Sequence, residues 1–337
     1  MANATIALVG SESLLGREVQ DLAVTGAGIP LKLIASEEER EGALTSVGDE
    51  PAVVGALNAA SLSEARVVVL AGGEESSRKT LQLLGDPPEA AVIDLTFTAE
   101  EFPEARLRAP IVEGEEWEEE DVREAGIHVI AHPAAIAIAL FLRRLHRNDP
   151  IRRAVIQVFA PASEQGSTGV EELQQQTVSL LSFKTMPRAI FDAQLSFNML
   201  PRYGEAAPVA LDQTEQRIER HLATLLALAG DGEGTPMPSL HVVQAPVFHG
   251  YSFSAWVEFE DAPEVEALET SLAMPAIDVR GEDLDPPTNV GQAGQSGIAV
   301  GAISPDRNDA SACWFWFVAD NLRLQAENAV MVAQQLV

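Results

Sequence analysis

Thr5-Ile6-Ala7-Leu8-Val9-Gly10 is the stretch that decides the fold, because a short apolar run ends there directly in a glycine. A helical pattern of apolar residues follows, at Leu15, Val19 and Leu22. A buried strand, a tight turn and a helix in this order form the first unit of a parallel α/β sheet. The stretch therefore predicts an α/β fold.

Further strands of the same type follow as far as residue 131. Their runs are continuously apolar, which suits strands that helices cover on both faces. We predict a doubly wound, Rossmann-type parallel sheet over residues 1–131, which a C-terminal helix over residues 320–337 rejoins. The later strands are predicted at 31–35, 66–70, 91–95 and 127–131.

The pattern changes after residue 131, where strands and helices mix less regularly. We predict an α+β domain with a mixed sheet over residues 132–319, and we expect this domain to dimerise. Gly/Pro/Asp-rich loops are expected at 231–236 and 283–297. The predicted strands lie at 152–160, 240–247 and 253–259, and the predicted helices at 170–176, 212–228 and 321–336.

Composition excludes several classes of function. The formal net charge of the 337 residues is −29, which disfavours binding to nucleic acid. No run of 18 apolar residues and no signal peptide are present, so we expect neither a membrane span nor export. The single cysteine, Cys313, fits a reducing cytoplasm and excludes an internal disulfide. We expect no metal site.

Four short strings occur in register along most of the chain. They are Gly169-Val170-Glu171-Glu172-Leu173, Phe197-Asn198-Met199-Leu200-Pro201, Pro246-Val247-Phe248-His249-Gly250-Tyr251-Ser252 and Val318-Ala319-Asp320-Asn321-Leu322. In this order they resemble aspartate-semialdehyde dehydrogenases, and more narrowly the Usg-type homologues of that family. The resemblance implies a homodimer, or a heterodimer with an active paralogue. It also implies NADPH-dependent reduction of an acyl phosphate to an aldehyde through a thioester.

The nucleophile that this reaction requires is missing from the sequence. The resemblance places the catalytic cysteine at Ala135, in a strand-to-helix turn that reads His132-Pro133-Ala134-Ala135-Ile136. Alanine cannot attack a carbonyl group, so the usual thioester cannot form there. Cys313 lies far downstream in an apolar run, and we expect it to belong to the core.

Other positions that the resemblance assigns to chemistry are also replaced. Tyr251 stands where the family has a histidine, and a tyrosine pKa of about 10 makes a poor base. His249 is a weak substitute, expected on the same face of a strand roughly 6–7 Å away. Gln244 stands at the arginine that binds the substrate carboxylate, and Ala160 at the glutamine that orients the thioester.

Two more positions concern charged groups of the substrate. Glu100 aligns near a family arginine that grips phosphate, and a carboxylate there would repel that phosphate. Arg217 is the nearest match to a substrate-binding lysine, with a solvated helix face as the alternative interpretation.

The cofactor turn reads Gly10-Ser11-Glu12-Ser13-Leu14-Leu15-Gly16, in which serine replaces the middle glycine of the family pattern. Carboxylates at 37–39 stand where an arginine would hold the 2′-phosphate of NADP. The resemblance therefore implies a degenerate site, and NAD or NADP binding is left open. Its expected residues are Gly10, Ser11, Ser13, Leu14, Gly16, Ser36, Gly72, Gly73 and Asn321.

The replaced positions are those that the resemblance assigns to chemistry. By contrast, the motif at 197–201, to which we assign a packing role, is kept. We therefore expect a catalytically inactive relative that acts as a dimeric binding or scaffolding protein. One alternative is an NAD(P)-dependent oxidoreductase that works without a thioester, with Tyr251 or His249 as proton donor. Another is a binder of a neutral ligand in a pocket lined by Ala135, Ala160, Gln244 and Tyr251.

Overall fold

The computed structural model divides the chain into two compact units. Unit 1 contains residues 1–131 and 325–337, and unit 2 contains residues 132–324. The boundary between residues 324 and 325 falls inside the C-terminal helix, Asn321–Leu336. Part of the predicted loop at 231–236 lies outside the described residues. These are 5–24, 28–37, 39–48, 50–114, 126–228 and 234–337.

Unit 1 is built on a six-stranded sheet in which all neighbouring strands are parallel. A two-stranded hairpin stands apart from it. The strands are β1 (Thr5–Val9), β2 (Leu31–Ile34), β3 (Leu44–Val47), β4 (Glu50–Val53), β5 (Ala65–Leu70), β6 (Ala91–Asp94), β7 (Ala105–Arg108) and β8 (Ile127–Ile130). The order β2-β1-β5-β6-β8-β7 confirms the predicted Rossmann-type sheet.

The helices of unit 1 follow the strands as a doubly wound fold requires. The core strands are fully buried, with Ala7, Leu8, Val68 and Val92 at 0% exposure. No helix of the described residues is long and apolar enough to cross a membrane. The helices are α1 (Leu14–Leu22), α2 (Ala59–Leu62), α3 (Glu74–Leu84) and α4 (Pro110–Glu113).

Unit 2 is built on a six-stranded mixed sheet, as predicted. Its outer pairs are parallel and its central pairs are antiparallel. The strands are β9 (Ile151–Ala160), β10 (Ser239–Gln244), β11 (Tyr251–Phe259), β12 (Ile277–Arg280), β13 (Ile298–Pro305) and β14 (Ala312–Ala319). They run in the order β10-β9-β11-β14-β13-β12.

Helices cover one face of this mixed sheet. The helices that begin in unit 2 are α5 (Pro133–Asn148), α6 (Gly166–Leu181), α7 (Leu211–Leu226), α8 (Val265–Leu272), α9 (Asn289–Gln292) and α10 (Asn321–Leu336). Phe141 of α5 stacks on Phe317 with ring centroids 4.6 Å apart, and Phe317 stacks on Phe253 at 4.3 Å. On the opposite face Val155 is 50% exposed and Trp314 is 44% exposed.

The structure differs from the sequence predictions in several places. Edge strand β7 and the β3–β4 hairpin were not predicted, because neither has a continuous apolar run. The predicted loop at 283–297 contains α9, and the strand predicted over 240–247 ends at Gln244. The packing role of the motif at 197–201 was wrong in part. Phe197 and Met199 are 67% and 54% exposed, since a positive φ of 63° at Phe197 turns the chain there.

Candidate functional site

The first turn of α5 carries the centre of the candidate site in unit 2. His132 is the N-cap residue, and its ring Nδ1 accepts the backbone N–H of Ala134 at 3.2 Å. Because Nδ1 accepts, a ring proton lies on Nε2. That nitrogen is 2.9 Å from Oε1 of Glu164, so His132 donates to the carboxylate.

Glu164 joins His132 to Tyr251. Its other oxygen, Oε2, accepts the hydroxyl of Tyr251 at 2.8 Å. Glu164 lies on a short 3-10 turn, Ala162–Gln165, which packs so closely on α6 that any side chain at Gly169 would overlap the carbonyl oxygen of Ala162. Gly169, which opens the motif at 169–173, therefore lets this turn pack against α6 and so positions the carboxylate of Glu164.

Electrostatics favours the ionised form of Glu164. Burial alone would raise its pKa, but interaction with His132, the Tyr251 hydroxyl and the positive charge of Arg217 together lower it below the ordinary value. Burial and the nearby Glu164 charge raise the pKa of Tyr251 well above its usual range. Tyr251 thus stays protonated and donates to Glu164, which makes it unsuitable as a base.

Gln244 uses its whole side-chain amide within unit 2. Its Nε2 donates to the carbonyl oxygens of Ala160 at 2.9 Å and Ala245 at 3.1 Å. Its Oε1 accepts the hydroxyl of Tyr203 at 2.6 Å. An amide nitrogen has only two protons, so Gln244 has none left for a substrate carboxylate.

Ala135 and Ala160 are both completely buried, at 0% exposure. Ala135 lies in the first part of α5, where every residue from Pro133 to Leu142 is buried. Cys313 is a buried strand residue with a free thiol, as the sequence predicted for a core position. Burial and the charge of Asp306 raise its pKa to about 11, which suppresses the reactive thiolate.

The same-face argument for His249 was wrong, because this residue does not lie in a strand. Strand β11 begins at Tyr251, and Gly250 takes a positive φ of 82° that turns the chain between them. Asn321 lies in unit 2 and is 3% exposed. Its Oδ1 accepts the N–H of Gly250 at 2.9 Å, and its Nδ2 donates to the hydroxyl of Ser163 at 3.1 Å.

The two predicted charged positions lie in different units. Arg217 is on α7 in unit 2, close enough to Glu164 to lower the pKa of that carboxyl. Glu100 follows β6 in unit 1, in a turn that the buried carboxylate of Asp94 holds by accepting the N–H groups of Thr96 and Ala99. The Glu100 charge and burial both raise the pKa of Asp94, with burial the larger cause.

The glycine-rich turn of unit 1 lies where β1 and β5 are neighbours, which is the point at which the strand order reverses. Ligands of open α/β sheets bind at this point. Gly10 has a φ of 83°, and a side chain there would overlap the backbone of Gly72. A side chain at Gly16 would overlap the carbonyl oxygen of Gly10, whereas Gly73, the N-cap of α3, has open space around it.

The side chains of Ser13 and Glu39 form hydrogen bonds with the backbone of this turn. Ser13 caps α1, beside Leu14, by accepting the N–H of Gly16 at 2.9 Å, and its hydroxyl donates to the carbonyl oxygen of Ala71 at 2.6 Å. The carboxylate of Glu39 accepts the N–H of Glu12 at 3.0 Å and of Ser36 at 3.1 Å.

At this turn, side chains of the protein already bind groups that a dinucleotide diphosphate would use. A diphosphate would use backbone N–H groups at the start of α1, and one of them already donates to Glu39. Burial raises the pKa of Glu39 more than the N–H groups of Ser36, Glu12 and Ser13 lower it. Ser11 is fully buried behind the turn. The turn keeps its glycines, but Glu39 and Ser13 occupy two of its backbone N–H groups.

Two polar residues of the site in unit 2, His132 and Glu164, were not singled out from the sequence. Glu39 was predicted only as one of three carboxylates that oppose a phosphate, not as an acceptor of backbone N–H groups. His132 and Glu164 are 32 positions apart, and Glu39 is 27 positions from Glu12, so only the tertiary fold brings the partners together. The available signal was local, since His132 directly precedes the proline that begins α5.

The two units define a two-domain α/β protein with a Rossmann-type sheet and a mixed sheet. The family model described as "Semialdehyde dehydrogenase, dimerisation domain" matches residues 142–324, more than half of the chain. The chain therefore belongs to the semialdehyde dehydrogenase family, which confirms the resemblance.

Individual relatives agree with this assignment. The chain is 27% identical to the aspartate-semialdehyde dehydrogenase of Rickettsia bellii, covering 98% of the chain and 97% of that protein. It is 32% identical to the USG-1 protein homolog of Pseudomonas aeruginosa, covering 64% of the chain and 63% of that protein.

Solved structures confirm the fold over the full chain. A probable aspartate-semialdehyde dehydrogenase from Pseudomonas aeruginosa matches with a TM-score of 0.80 and 26% identity, covering 99% of this chain and 98% of that one. Aspartate semialdehyde dehydrogenase II from Vibrio cholerae, complexed with ASA, matches with a TM-score of 0.80 at 22% identity, covering 100% of this chain and 98% of that one.

Proposed function

We propose that this chain is a catalytically inactive relative of the aspartate-semialdehyde dehydrogenases, retained in the cytoplasm as a homodimeric binding or scaffolding protein. One observation carries the proposal. Of the four positions in unit 2 that carry the nucleophile, the base, the orienting amide and the carboxylate anchor in the family, two are alanines and two hold side chains that are engaged within unit 2. The Gln244 amide is saturated, and the Tyr251 hydroxyl is committed to Glu164.

Two requirements of the alternatives are not met by the side chains of the site, namely a Tyr251 that can release its proton and space for a neutral ligand. An oxidoreductase without a thioester would need Tyr251 or His249 to donate a proton. The Tyr251 hydroxyl already donates to Glu164, and burial holds its pKa well above the usual range. A neutral ligand would need space beside Ala135, Ala160 and Tyr251, which are all at 0% exposure.

A direct activity assay tests the proposal. The purified chain is given aspartate semialdehyde, phosphate and NADP⁺, and NADPH formation is followed by absorbance, with the Vibrio cholerae relative as positive control. We expect a rate equal to that of the protein-free blank, because no nucleophile is present at Ala135. Turnover of about 1 per second or faster, the ordinary range for enzymes, would refute the proposal.

The homodimer part of the proposal rests on the open face of the mixed sheet in unit 2. Trp256 on β11 is paired between Val155 on β9 and Trp314 on β14, so these side chains form one row. Both indole N–H groups donate to Asp306 at 2.9 Å, which fixes the ring orientations. An aromatic row of this kind on an uncovered sheet face suits an interface, and a second copy is the occupant because the matching family model describes a dimerisation domain.

Sedimentation velocity tests this interface. Val155→Asp places a charge within the row, and an unpaired charge in a dry interface costs several kcal/mol. The dimer dissociation constant should therefore rise at least about 100-fold. Leu44→Asp is the matched control, because Leu44 is 84% exposed on the separate hairpin of unit 1.

Two results would count against the interface. One is a wild-type chain that sediments as a monomer at micromolar concentration. The other is a Val155→Asp variant as dimeric as Leu44→Asp. Sedimentation of the wild-type chain mixed with an active paralogue distinguishes a heterodimer from a homodimer. A heterodimer would form at the expense of the homodimer.

A further inference from the structure

Glu39 follows β2 in the chain and binds the glycine-rich turn. Its two carboxylate oxygens accept different backbone N–H groups, those of Glu12 before α1 and Ser36 after β2. The carboxylate therefore bridges the ends of β1 and β2, which are parallel neighbours in the sheet. In a Rossmann-type fold these two ends hold the diphosphate and the adenosine ribose of a dinucleotide.

The other side of the turn is closed as well. The hydroxyl of Ser13 donates to the carbonyl oxygen of Ala71 and accepts the N–H of Gly16. A glycine at position 13 would leave both groups exposed to a ligand. A diphosphate that binds at this turn must therefore displace the carboxylate of Glu39. It must also fit beside the hydrogen-bonded hydroxyl of Ser13.

We propose that Glu39 is an internal anion that occupies the diphosphate-binding turn of unit 1 and excludes dinucleotides from it. The inference deepens the proposed function, on which it rests, by naming the group that blocks the nucleotide. A carboxylate tethered in the same unit is present at a high effective concentration, so it competes well with a free ligand. Carboxylate and phosphate oxygens accept the same N–H donors, which makes the exchange chemically direct.

An alternative role for Glu39 predicts the opposite result. In dinucleotide-binding domains a carboxylate after the second strand accepts the ribose hydroxyl of NAD. If Glu39 had that role, its removal would weaken NAD⁺ binding. If Glu39 is the internal anion, its removal strengthens binding.

Isothermal titration calorimetry decides between them. The wild-type chain, Glu39→Ala and Glu41→Ala are each titrated with NAD⁺ and with inorganic pyrophosphate. Glu41→Ala is the matched control, because it removes an equal charge from an exposed residue of the same loop. NAD⁺ is used rather than NADP⁺ because NAD⁺ has no 2′-phosphate that the carboxylate of Glu37 could repel.

We expect Glu39→Ala to bind both ligands at least about ten-fold more tightly than the wild-type chain, a difference of about 1.4 kcal/mol. The control should match the wild type. Amide hydrogen exchange should quicken at Glu12 and Ser36 in Glu39→Ala only, because these N–H groups lose their acceptor. Glu39→Gln keeps the size of the side chain and removes only its charge, so it separates the effect of charge from that of space. It also replaces Glu39→Ala in the test if that variant fails to fold.

An unchanged or weaker affinity in the folded Glu39 variants would overturn the inference. That result would leave the proposed function standing, because the aspartate semialdehyde assay does not depend on it. Conversely, wild-type turnover in that assay would end the proposed function, whatever the calorimetry showed.

Discussion

Replacing Tyr251 with phenylalanine tests the hydrogen-bonded centre of unit 2. Tyr251 is at 0% exposure, and its hydroxyl lies 2.8 Å from Oε2 of Glu164, which is only 12% exposed. A hydrogen bond to a buried charge contributes about 1.5–3 kcal/mol, and the remaining carboxylate would keep His132 as its donor. We expect Tyr251→Phe to lower the free energy of unfolding by about 2 kcal/mol.

The chain contains its own control, since Tyr203 is the only other tyrosine. Tyr203 is also buried, but its hydroxyl donates to the neutral amide of Gln244. Tyr203→Phe should therefore cost less than Tyr251→Phe, because the buried acceptor that loses its donor is uncharged. Urea unfolding followed by circular dichroism measures both variants, at one fixed protomer concentration because the stability of a dimer depends on it.

A double-mutant cycle with Glu164→Gln isolates the pair. The loss caused by Tyr251→Phe should shrink once Glu164 is neutral. The pH dependence has a definite sign. The pKa of Glu164 is lowered on folding, so its stabilisation is present above the ordinary value of 4.5 and is lost as pH falls through the lower folded pKa. A Tyr251→Phe loss that is equal in both backgrounds, or no larger than that of Tyr203→Phe, would refute this reasoning.

Three further changes have defined outcomes. Glu113→Gln should lower the free energy of unfolding by about 3–5 kcal/mol in the same urea assay, because it removes the carboxylate that pairs with the fully buried Arg108 at 2.9 Å. Gly16→Ala should cost about 3 kcal/mol, since its side chain would overlap a backbone carbonyl. Gly73→Ala meets open space and should cost only about 1 kcal/mol, because alanine is a poorer N-cap residue than glycine. Ala135→Cys should give no NADPH formation from aspartate semialdehyde, because one thiol replaces none of the other lost groups; appreciable turnover would contradict this.

The architecture of unit 1 could be predicted from the sequence because its core strands are buried on both faces. Runs such as residues 66–70 are apolar throughout, so periodicity alone identifies them. Strand β7 was missed because its sequence alternates alanine, arginine and leucine, and its identity depends on pairing with β8. The exposure of Phe197 could not be predicted, because a left-handed backbone at a phenylalanine has no sequence signal.

The candidate sites were predictable only as positions, not as interactions. The resemblance located Ala135, Gln244 and Tyr251, but the hydrogen-bond partners of the latter two come from other elements. Glu39 was expected to repel a cofactor phosphate through its charge, whereas the structure places its oxygens on the turn's own N–H groups. Long-range partners of this kind follow from the tertiary fold and leave no spacing in the sequence.

The replacing residues have acquired structural roles, and this constrains how the chain could regain activity. Ser13 caps α1, Gln244 holds Tyr203 together with the end of β9, and Tyr251 satisfies Glu164. Each reversion toward the family residue would therefore remove hydrogen bonds from buried groups before it restored any chemistry. Because an unsatisfied buried polar group costs about 1–3 kcal/mol, single reversions should destabilise the fold without a compensating gain. A return to catalysis would need concerted changes in both units.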